Sequence, residues 1–135
     1  MSNKKVLIIE DDADVRLGLH VLLKANDYDT FHAADGIAAI SEAVKHQPDL
    51  IILDLGLPGG DGFTVLDRLR AITPLAVVPV IVVSARDVLG NNYRALKAGA
   101  SVYVQKPWND RELLAIIRKQ LGQPHLSAAQ TSWDQ

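Results

Sequence analysis

The stretch IILDLGLPGGDG, residues 51–62, runs from an apolar segment through an aspartate into a glycine-rich turn. Ile51, Ile52 and Leu53 predict a strand that is buried on both faces of a sheet, because no polar residue alternates with them. Asp54 ends this strand, although aspartate is uncommon in strands and costly to bury. The ends of the other predicted strands show what such an aspartate could do.

Apolar strand-like segments alternate with helix-like segments on both sides of this stretch. The predicted strands are residues 6–10, 29–33, 50–54, 79–83 and 102–104. Predicted helices cover 13–25 and 88–98, and three more begin after Asp35, Asp61 and Asn109, each of which can cap a helix. In the second helix Ile37, Ile40 and Val44 share a face. Five alternating strands and helices predict an α/β fold whose parallel sheet is covered by helices on both faces.

The composition fits one globular domain. The chain has 135 residues, a net charge of −2 and no cysteine, which excludes disulfides and cysteine-ligated metals. The charge does not provide the broad basic surface of an autonomous nucleic-acid binder, so we expect no direct nucleic-acid binding. The longest apolar run, residues 75–83, is half a membrane span, so we expect a cytoplasmic protein. We expect a domain over residues 1–121 and a tail or start of a linker over 122–135.

Polar residues of complementary type follow the predicted strands. Carboxylates follow the first strand at Glu10, Asp11 and Asp12, a hydroxyl follows the fourth at Ser84, and Lys106 follows the fifth. The carboxyl ends of parallel strands meet at one edge of the sheet, where α/β proteins bind ligands. Among the acids, Asp12 is expected to cap the first helix and not to bind a metal.

Carboxylates clustered in this way raise each other's pKa values unless a cation neutralises them. Two carboxylates 4 Å apart repel by about 4 kcal/mol at an effective dielectric near 20. Hard oxygen ligands suit Mg²⁺, which keeps waters and a phosphate group as further ligands. A carboxylate nucleophile, a hydroxyl, a lysine and Mg²⁺ are together suited to phosphoryl transfer.

The sequence resembles the receiver domain of two-component response regulators over residues 4 to 121. The resemblance rests on IIEDD (8–12), DLGLPGGDG (54–62), VSA (83–85) and AGASVYVQKP (98–107), and on their order and spacing. It implies a doubly wound, flavodoxin-like (βα)5 fold with strand order 2-1-3-4-5. It also implies a cis peptide bond between Lys106 and Pro107.

The resemblance assigns a role to each residue at the strand ends. Asp54 is expected to be the phosphoacceptor, supplied by a histidine kinase or a histidine phosphotransfer protein. Ser84 and Lys106 are expected to contact the phosphoryl oxygens, and Ser84 with Tyr103 to form a switch.

The same resemblance implies a Mg²⁺ site that includes Asp54. Asp11 is expected to bind the ion directly and Glu10 through a water, and Gly56 to offer its backbone carbonyl. Gly56 and Arg86 also flank the expected phosphoryl group, in positions that resemble those tuning its lifetime, so the lifetime stays open.

The expected function is a signalling switch that promotes only its own phosphorylation and autodephosphorylation. We expect it to act on a downstream protein effector or a fused output domain, as a monomer or a phosphorylation-dependent dimer. The chain could also be a receiver excised from a longer DNA-binding or hybrid-kinase protein.

Three other functions fit the residues less well. A Mg²⁺-dependent phosphatase with an aspartyl-phosphate intermediate needs a carboxylate two residues after the nucleophile, where this chain has Gly56. In a flavodoxin-like cofactor binder, the acids of residues 10–14 would repel a phosphate. A receiver that has lost phosphorylation would not need every acidic, hydroxyl and lysine position filled.

Overall fold

Five strands and five α-helices alternate in a computed structural model that describes residues 3–57, 62–85 and 88–124. The strands are β1 (Lys5–Ile9), β2 (Asp29–Ala33), β3 (Leu50–Asp54), β4 (Val80–Ser84) and β5 (Val102–Gln105). The helices are α1 (Ala13–Ala25), α2 (Gly36–His46), α3 (Gly62–Ala71), α4 (Val88–Lys97) and α5 (Asp110–Gln120). A short 3₁₀ helix, Thr73–Leu75, precedes β4.

All five strands are parallel, and their order in the sheet is β2-β1-β3-β4-β5. Both the α/β class and the strand order are therefore confirmed. The register pairs Ile9 with Leu53 and Asp54 with Val83. The strand order reverses between β1 and β3, and this is where an open α/β sheet forms a crevice beyond its strand ends.

The apolar core is divided by the sheet into two layers. On one face, Leu7, Ile9 and Ile51 pack with α2, α3 and Ala95 of α4. On the other face, strand residues such as Val6 pack with α1 and α5. Strands β3 and β4 are buried along their whole length, as expected for strands covered on both sides. The buried core makes a rigid platform for the residues that follow each strand.

Two strands begin one residue away from the predicted position. β1 begins at Lys5 and ends at Ile9, so that Glu10 lies just past the strand. β4 begins at Val80, because Pro79 has no N–H to donate to the ladder. The Pro79 carbonyl still accepts a hydrogen bond from the Ile51 N–H at 3.0 Å.

The predicted apolar face of α2 enters the core only in part, because Ile40 packs against the core while Ile37 and Val44 stay largely outside it. The side chains of Ile37 and Val44 are 72% and 49% exposed. The buried residues of α2 are Gly36, Ala39 and Ala43. Small residues allow this helix to approach the sheet closely, so they form its inner face and leave Ile37 and Val44 largely outside.

Helix caps confirm three expectations about acidic and amide side chains. Asp12 caps α1 by accepting from the N–H groups of Asp14 and Val15. Asp35 caps α2, and Asn109 caps α5 by accepting from the Glu112 N–H at 3.1 Å. The expected cap at Asp61, and Arg86, lie outside the described residues.

In the part of the chain that the structure describes, every helix is too short or too polar to cross a membrane.

Gly62 lets α3 begin against the end of β3. A Cβ atom on Gly62 would lie 2.5 Å from the Leu55 Cα and 2.8 Å from the Asp54 carbonyl oxygen. We predict that Gly62→Ala lowers the free energy of unfolding by about 2 kcal/mol, because backbone atoms cannot move away. Urea unfolding measures this value.

Gly18 provides the matched control, because it lies in α1 where an added Cβ would meet no neighbouring group within 4 Å. Gly18→Ala should stabilise the protein by about 0.5–1 kcal/mol, through helix propensity alone. Equal effects of the two substitutions would contradict the close contact between α3 and β3.

Candidate functional site

Three carboxylates meet where β1 and β3 end. Glu10, Asp11 and Asp54 each have one carboxylate oxygen in a group whose members all lie within 4.8 Å of one another. Glu10 is 1% exposed and Asp54 is 8% exposed, whereas Asp11 is exposed to solvent. The pairing of Ile9 with Leu53 brings these strand ends side by side. The prediction that these acids lie together is confirmed.

Lys106 reaches the carboxylates from the far side of β4. Its Nζ lies 2.6 Å from Glu10 Oε1 and 3.7 Å from Asp54 Oδ1. The Lys106 N–H donates to the Ser84 carbonyl at 2.8 Å, which extends the β4–β5 pairing as far as the lysine. The Lys106-Pro107 peptide bond is cis, as expected. In this arrangement the direct partner of the lysine is Glu10, and Asp54 is its more distant neighbour.

Burial controls the protonation of Glu10. The pKa of Glu10 is raised from 4.5 to about 7 as the net result of opposing effects: burial raises it most, the hydrogen bond from Lys106 opposes the rise, and the Asp54 charge adds to it. The carboxylate therefore gains from any added positive charge. Either a proton or a metal cation satisfies this requirement.

Ser84 and Gly56 lie beside the acidic cluster. Ser84 is the last residue of β4, is 1% exposed, and follows Val83, the partner of Asp54 in the sheet. A Cβ atom on Gly56 would lie 3.8 Å from Asp54 Oδ2. Position 56 therefore borders the Asp54 carboxylate directly, and glycine leaves the space there open.

Tyr103 lies near the start of β5, three residues before Lys106 and set back from the carboxyl end of the strand. It pairs with Val82 in the sheet and packs, partly buried, against the core layer that contains α3. The structure thus brings Lys106 close to Glu10 and Asp54. Tyr103 lies in the strand that ends just before the lysine.

The donor set fits a hard divalent cation. Three carboxylate oxygens and open access on the Asp11 side match the ligands that Mg²⁺ takes in proteins. The three carboxylates carry three negative charges when ionised, and Lys106 supplies one positive charge. The remaining charge of −2 equals in size the charge of one divalent ion.

Arg16 also contacts this site, and no sequence motif had pointed to it. Its Nη1 donates to the Glu10 carbonyl at 2.8 Å and to the Asp11 carbonyl at 3.4 Å. The available signal was its position, one helical turn after the Asp12 cap, from which a long side chain can reach back over the acidic segment.

The sequence of the chain matches the model of one protein family. The model of the family described as "Response regulator receiver domain" matches residues 6–118. The chain belongs to the response regulator receiver family.

Two curated relatives illustrate how this receiver domain relates to longer proteins. The chain is 40% identical over 114 residues to the DNA-binding dual master transcriptional regulator RpaA of Synechocystis, covering 84% of this chain and 47% of RpaA. It is 42% identical over 113 residues to the KDP operon transcriptional regulatory protein KdpE of Escherichia coli, covering 84% of this chain and 49% of KdpE. The chain spans about half the length of these relatives.

One solved structure has the same fold as this chain over most of its length. This is the receiver domain of the sensor histidine kinase PA1611 from Pseudomonas aeruginosa, which has a magnesium ion coordinated in its active site cleft. The TM-score is 0.83 at 29% identity, with 90% of this chain and 99% of the other covered.

Metal-free protein should lose stability as the pH rises through the pKa of Glu10. The folded-state pKa, about 7, lies above the ordinary value of 4.5, so the folded protein holds this proton more tightly than the unfolded chain. This stabilisation is complete below pH 4.5 and is lost as the pH passes 7. We predict a loss of about 3 kcal/mol from this group.

Urea unfolding in a chelator, at a series of pH values, tests this prediction. Glu10→Gln should remove that part of the pH dependence, because glutamine does not ionise. Glu112→Gln, at an exposed position of α5, should keep the wild-type dependence. Parallel pH profiles for wild type and Glu10→Gln would show that burial does not control this carboxyl.

Proposed function

We propose that this receiver domain is a switch controlled by phosphorylation of Asp54 in the presence of Mg²⁺. The observation that carries the proposal is the placement of the Asp54 carboxylate, with Lys106 Nζ at 3.7 Å and the Glu10 and Asp11 carboxylates beside it. A nucleophilic carboxylate, a fixed cation and a pair of metal-binding acids are the groups that phosphoryl transfer to an aspartate needs.

The phosphoryl donor is a phosphohistidine of a histidine kinase or of a histidine phosphotransfer protein. An Asp54 oxygen forms a bond to phosphorus, and the nitrogen–phosphorus bond of the donor breaks. The bonding electrons go to the imidazole nitrogen, which takes a proton from solvent. The product is an acyl phosphate on Asp54.

Glu10, Asp11, Asp54 and the Gly56 carbonyl would hold the metal. When bound, Mg²⁺ would neutralise negative charge on the phosphoryl oxygens. The magnesium in the similar PA1611 receiver domain supports this choice of ion. The Ser84 hydroxyl and the Lys106 ammonium donate to the remaining phosphoryl oxygens.

Lys106 has to exchange partners for this to happen. Its ammonium lies on Glu10 at 2.6 Å, and a phosphoryl group on Asp54 offers oxygens with greater negative charge. A hydrogen bond to a charged group contributes about 1.5–3 kcal/mol. Moving a two-state equilibrium from 1:99 to 99:1 takes roughly 5.5 kcal/mol, and the new contacts of Ser84 and Lys106 contribute to it after the lost Lys106–Glu10 hydrogen bond is subtracted.

Ser84 and Tyr103 transmit the change. Ser84 moves toward the phosphoryl group, and Tyr103 turns into the space that Ser84 leaves. Because Tyr103 lies in β5, its movement alters the surface formed by α4, β5 and α5. This surface is what a protein effector or a fused output domain reads, with the receiver as a monomer or a phosphorylation-dependent dimer.

The open space beside Asp54 affects how the phosphoryl group is lost. Autodephosphorylation needs a water in line with the bond between phosphorus and Asp54. Gly56 offers no side chain to orient or exclude that water, although a side chain at this position would begin only 3.8 Å from Asp54 Oδ2. The same absence of a side chain argues against a phosphatase that turns over external substrates, because such an enzyme needs a carboxylate at this position.

The receiver unit comprises residues 1–121, with 122–135 as a tail or the start of a linker. The relatives RpaA and KdpE support a longer parent protein with a DNA-binding output, since the chain spans about half their length. In the segment that leaves α5, Gln123 accepts a hydrogen bond from the Tyr28 hydroxyl at 2.6 Å. The chain is thus tethered to the domain just after α5 ends.

Asp54→Asn tests the proposed phosphoacceptor. With Mg²⁺ and the small phosphodonor acetyl phosphate, we predict that wild type gains one phosphoryl group and that the variant gains none, because the amide is a poor nucleophile. Intact-mass spectrometry measures the gain. Asp12→Asn is the control, since asparagine also caps helices well, and it should label like wild type. Labelling of Asp54→Asn at residue 54 or at another site, with wild-type yield, would contradict the proposal.

A further inference from the structure

One arginine of α1 contacts the backbone of the acidic segment and not its carboxylates. Arg16 Nη1 donates to the Glu10 carbonyl at 2.8 Å and to the Asp11 carbonyl at 3.4 Å. Among the described residues its guanidinium forms no ion pair with a carboxylate. An arginine so close to acids would ordinarily pair with one of them, so its choice of carbonyls requires an explanation.

The two carbonyls lie in the short segment between β1 and α1, which belongs to neither element. β1 ends at Ile9, and the last pair between β1 and β3 joins Ile9 to Leu53. Past that point Glu10 is held by its N–H, which donates to the Ala33 carbonyl at 3.0 Å. The carbonyls of Glu10 and Asp11 follow this last sheet contact and precede the first turn of α1. Arg16 therefore connects the helix to the short segment between strand and helix.

We propose that Arg16 is a positioning residue for the Mg²⁺ site. Its hydrogen bonds fix the orientation of the peptide units of Glu10 and Asp11, and so the directions of their side chains. Because Arg16 binds the backbone, it does not compete with the ion for the carboxylate oxygens. This inference rests on the proposed function, which places Mg²⁺ between these acids and Asp54.

A purely electrostatic role for Arg16 makes the opposite prediction. A positive charge near the site repels Mg²⁺, so removal of that charge alone would strengthen Mg²⁺ binding. Loss of positioning weakens binding, even though the site becomes more negative. The sign of the change in Mg²⁺ affinity therefore distinguishes the two roles.

The test measures Mg²⁺ binding to the metal-free protein by isothermal titration calorimetry. Arg16→Gln removes the charge, and Arg16→Lys keeps the charge but loses the planar guanidinium that reaches both carbonyls. We predict that both variants bind Mg²⁺ about tenfold more weakly than wild type, the usual effect of losing a residue that orients metal ligands. Labelling by acetyl phosphate at saturating Mg²⁺ should return close to the wild-type rate.

Lys24→Gln is the matched control, because Lys24 is an exposed cation in the last turn of the same helix. It removes the same charge without touching the acidic segment, so its Mg²⁺ affinity should stay within about twofold of wild type at physiological salt. Circular dichroism and thermal unfolding confirm that each variant is folded at the titration temperature.

Four outcomes contradict the inference. Unchanged or tighter Mg²⁺ binding by Arg16→Gln shows that the arginine acts only through its charge or not at all. Wild-type affinity in Arg16→Lys shows that the guanidinium contacts are not needed. Labelling that stays low at saturating Mg²⁺ shows a role beyond metal positioning. Absence of Mg²⁺ binding by wild type contradicts the proposed function itself, and the inference with it.

Discussion

Repulsion among three carboxylates, held close together by the pairing of β1 with β3, determines what this receiver domain can do. Glu10, Asp11 and Asp54 lie within 4.8 Å of one another, and two of them are buried. The rigid, fully buried strands prevent the acids from moving apart. The folded protein relieves the repulsion in part by placing Lys106 on Glu10 and by raising the pKa of Glu10. The remaining negative charge would favour a divalent cation at this site.

The same crowding explains why a phosphoryl group could act as a signal here. A lysine placed between two acids has two alternative partners, Glu10 at 2.6 Å and Asp54 at 3.7 Å. Modification of Asp54 changes which partner carries the greater charge, and the lysine is linked through its backbone to β4 and β5. A local change of charge therefore acts directly on the strand that carries Tyr103.

The sequence was sufficient to predict the sheet and the residues at its carboxyl edge. Parallel strands place their carboxyl ends at one edge, so spacing predicted that Glu10, Asp54 and Lys106 share that edge. The strand order that makes them neighbours was implied by the resemblance to receiver domains. The inner face of α2 was not predictable from its aliphatic residues, because Ala39 and Ala43 permit a closer approach to the sheet than Ile37 would. The contacts of Arg16 were also hidden, since its acceptors are backbone carbonyls, which every residue has. Lys106 lies closer to Glu10 than to Asp54 because of the length of its side chain and the burial of the two carboxylates. Neither property can be derived from the amino-acid sequence.

The central claim is that Lys106 leaves Glu10 for a phosphoryl group on Asp54. A crystal structure with Mg²⁺ and beryllofluoride, which mimics that group, tests the claim most directly. The account predicts beryllofluoride on an Asp54 oxygen, with Lys106 Nζ within hydrogen-bonding distance of a fluoride and no longer at 2.6 Å from Glu10 Oε1. A structure in which beryllofluoride occupies Asp54 while Lys106 stays on Glu10 would contradict it.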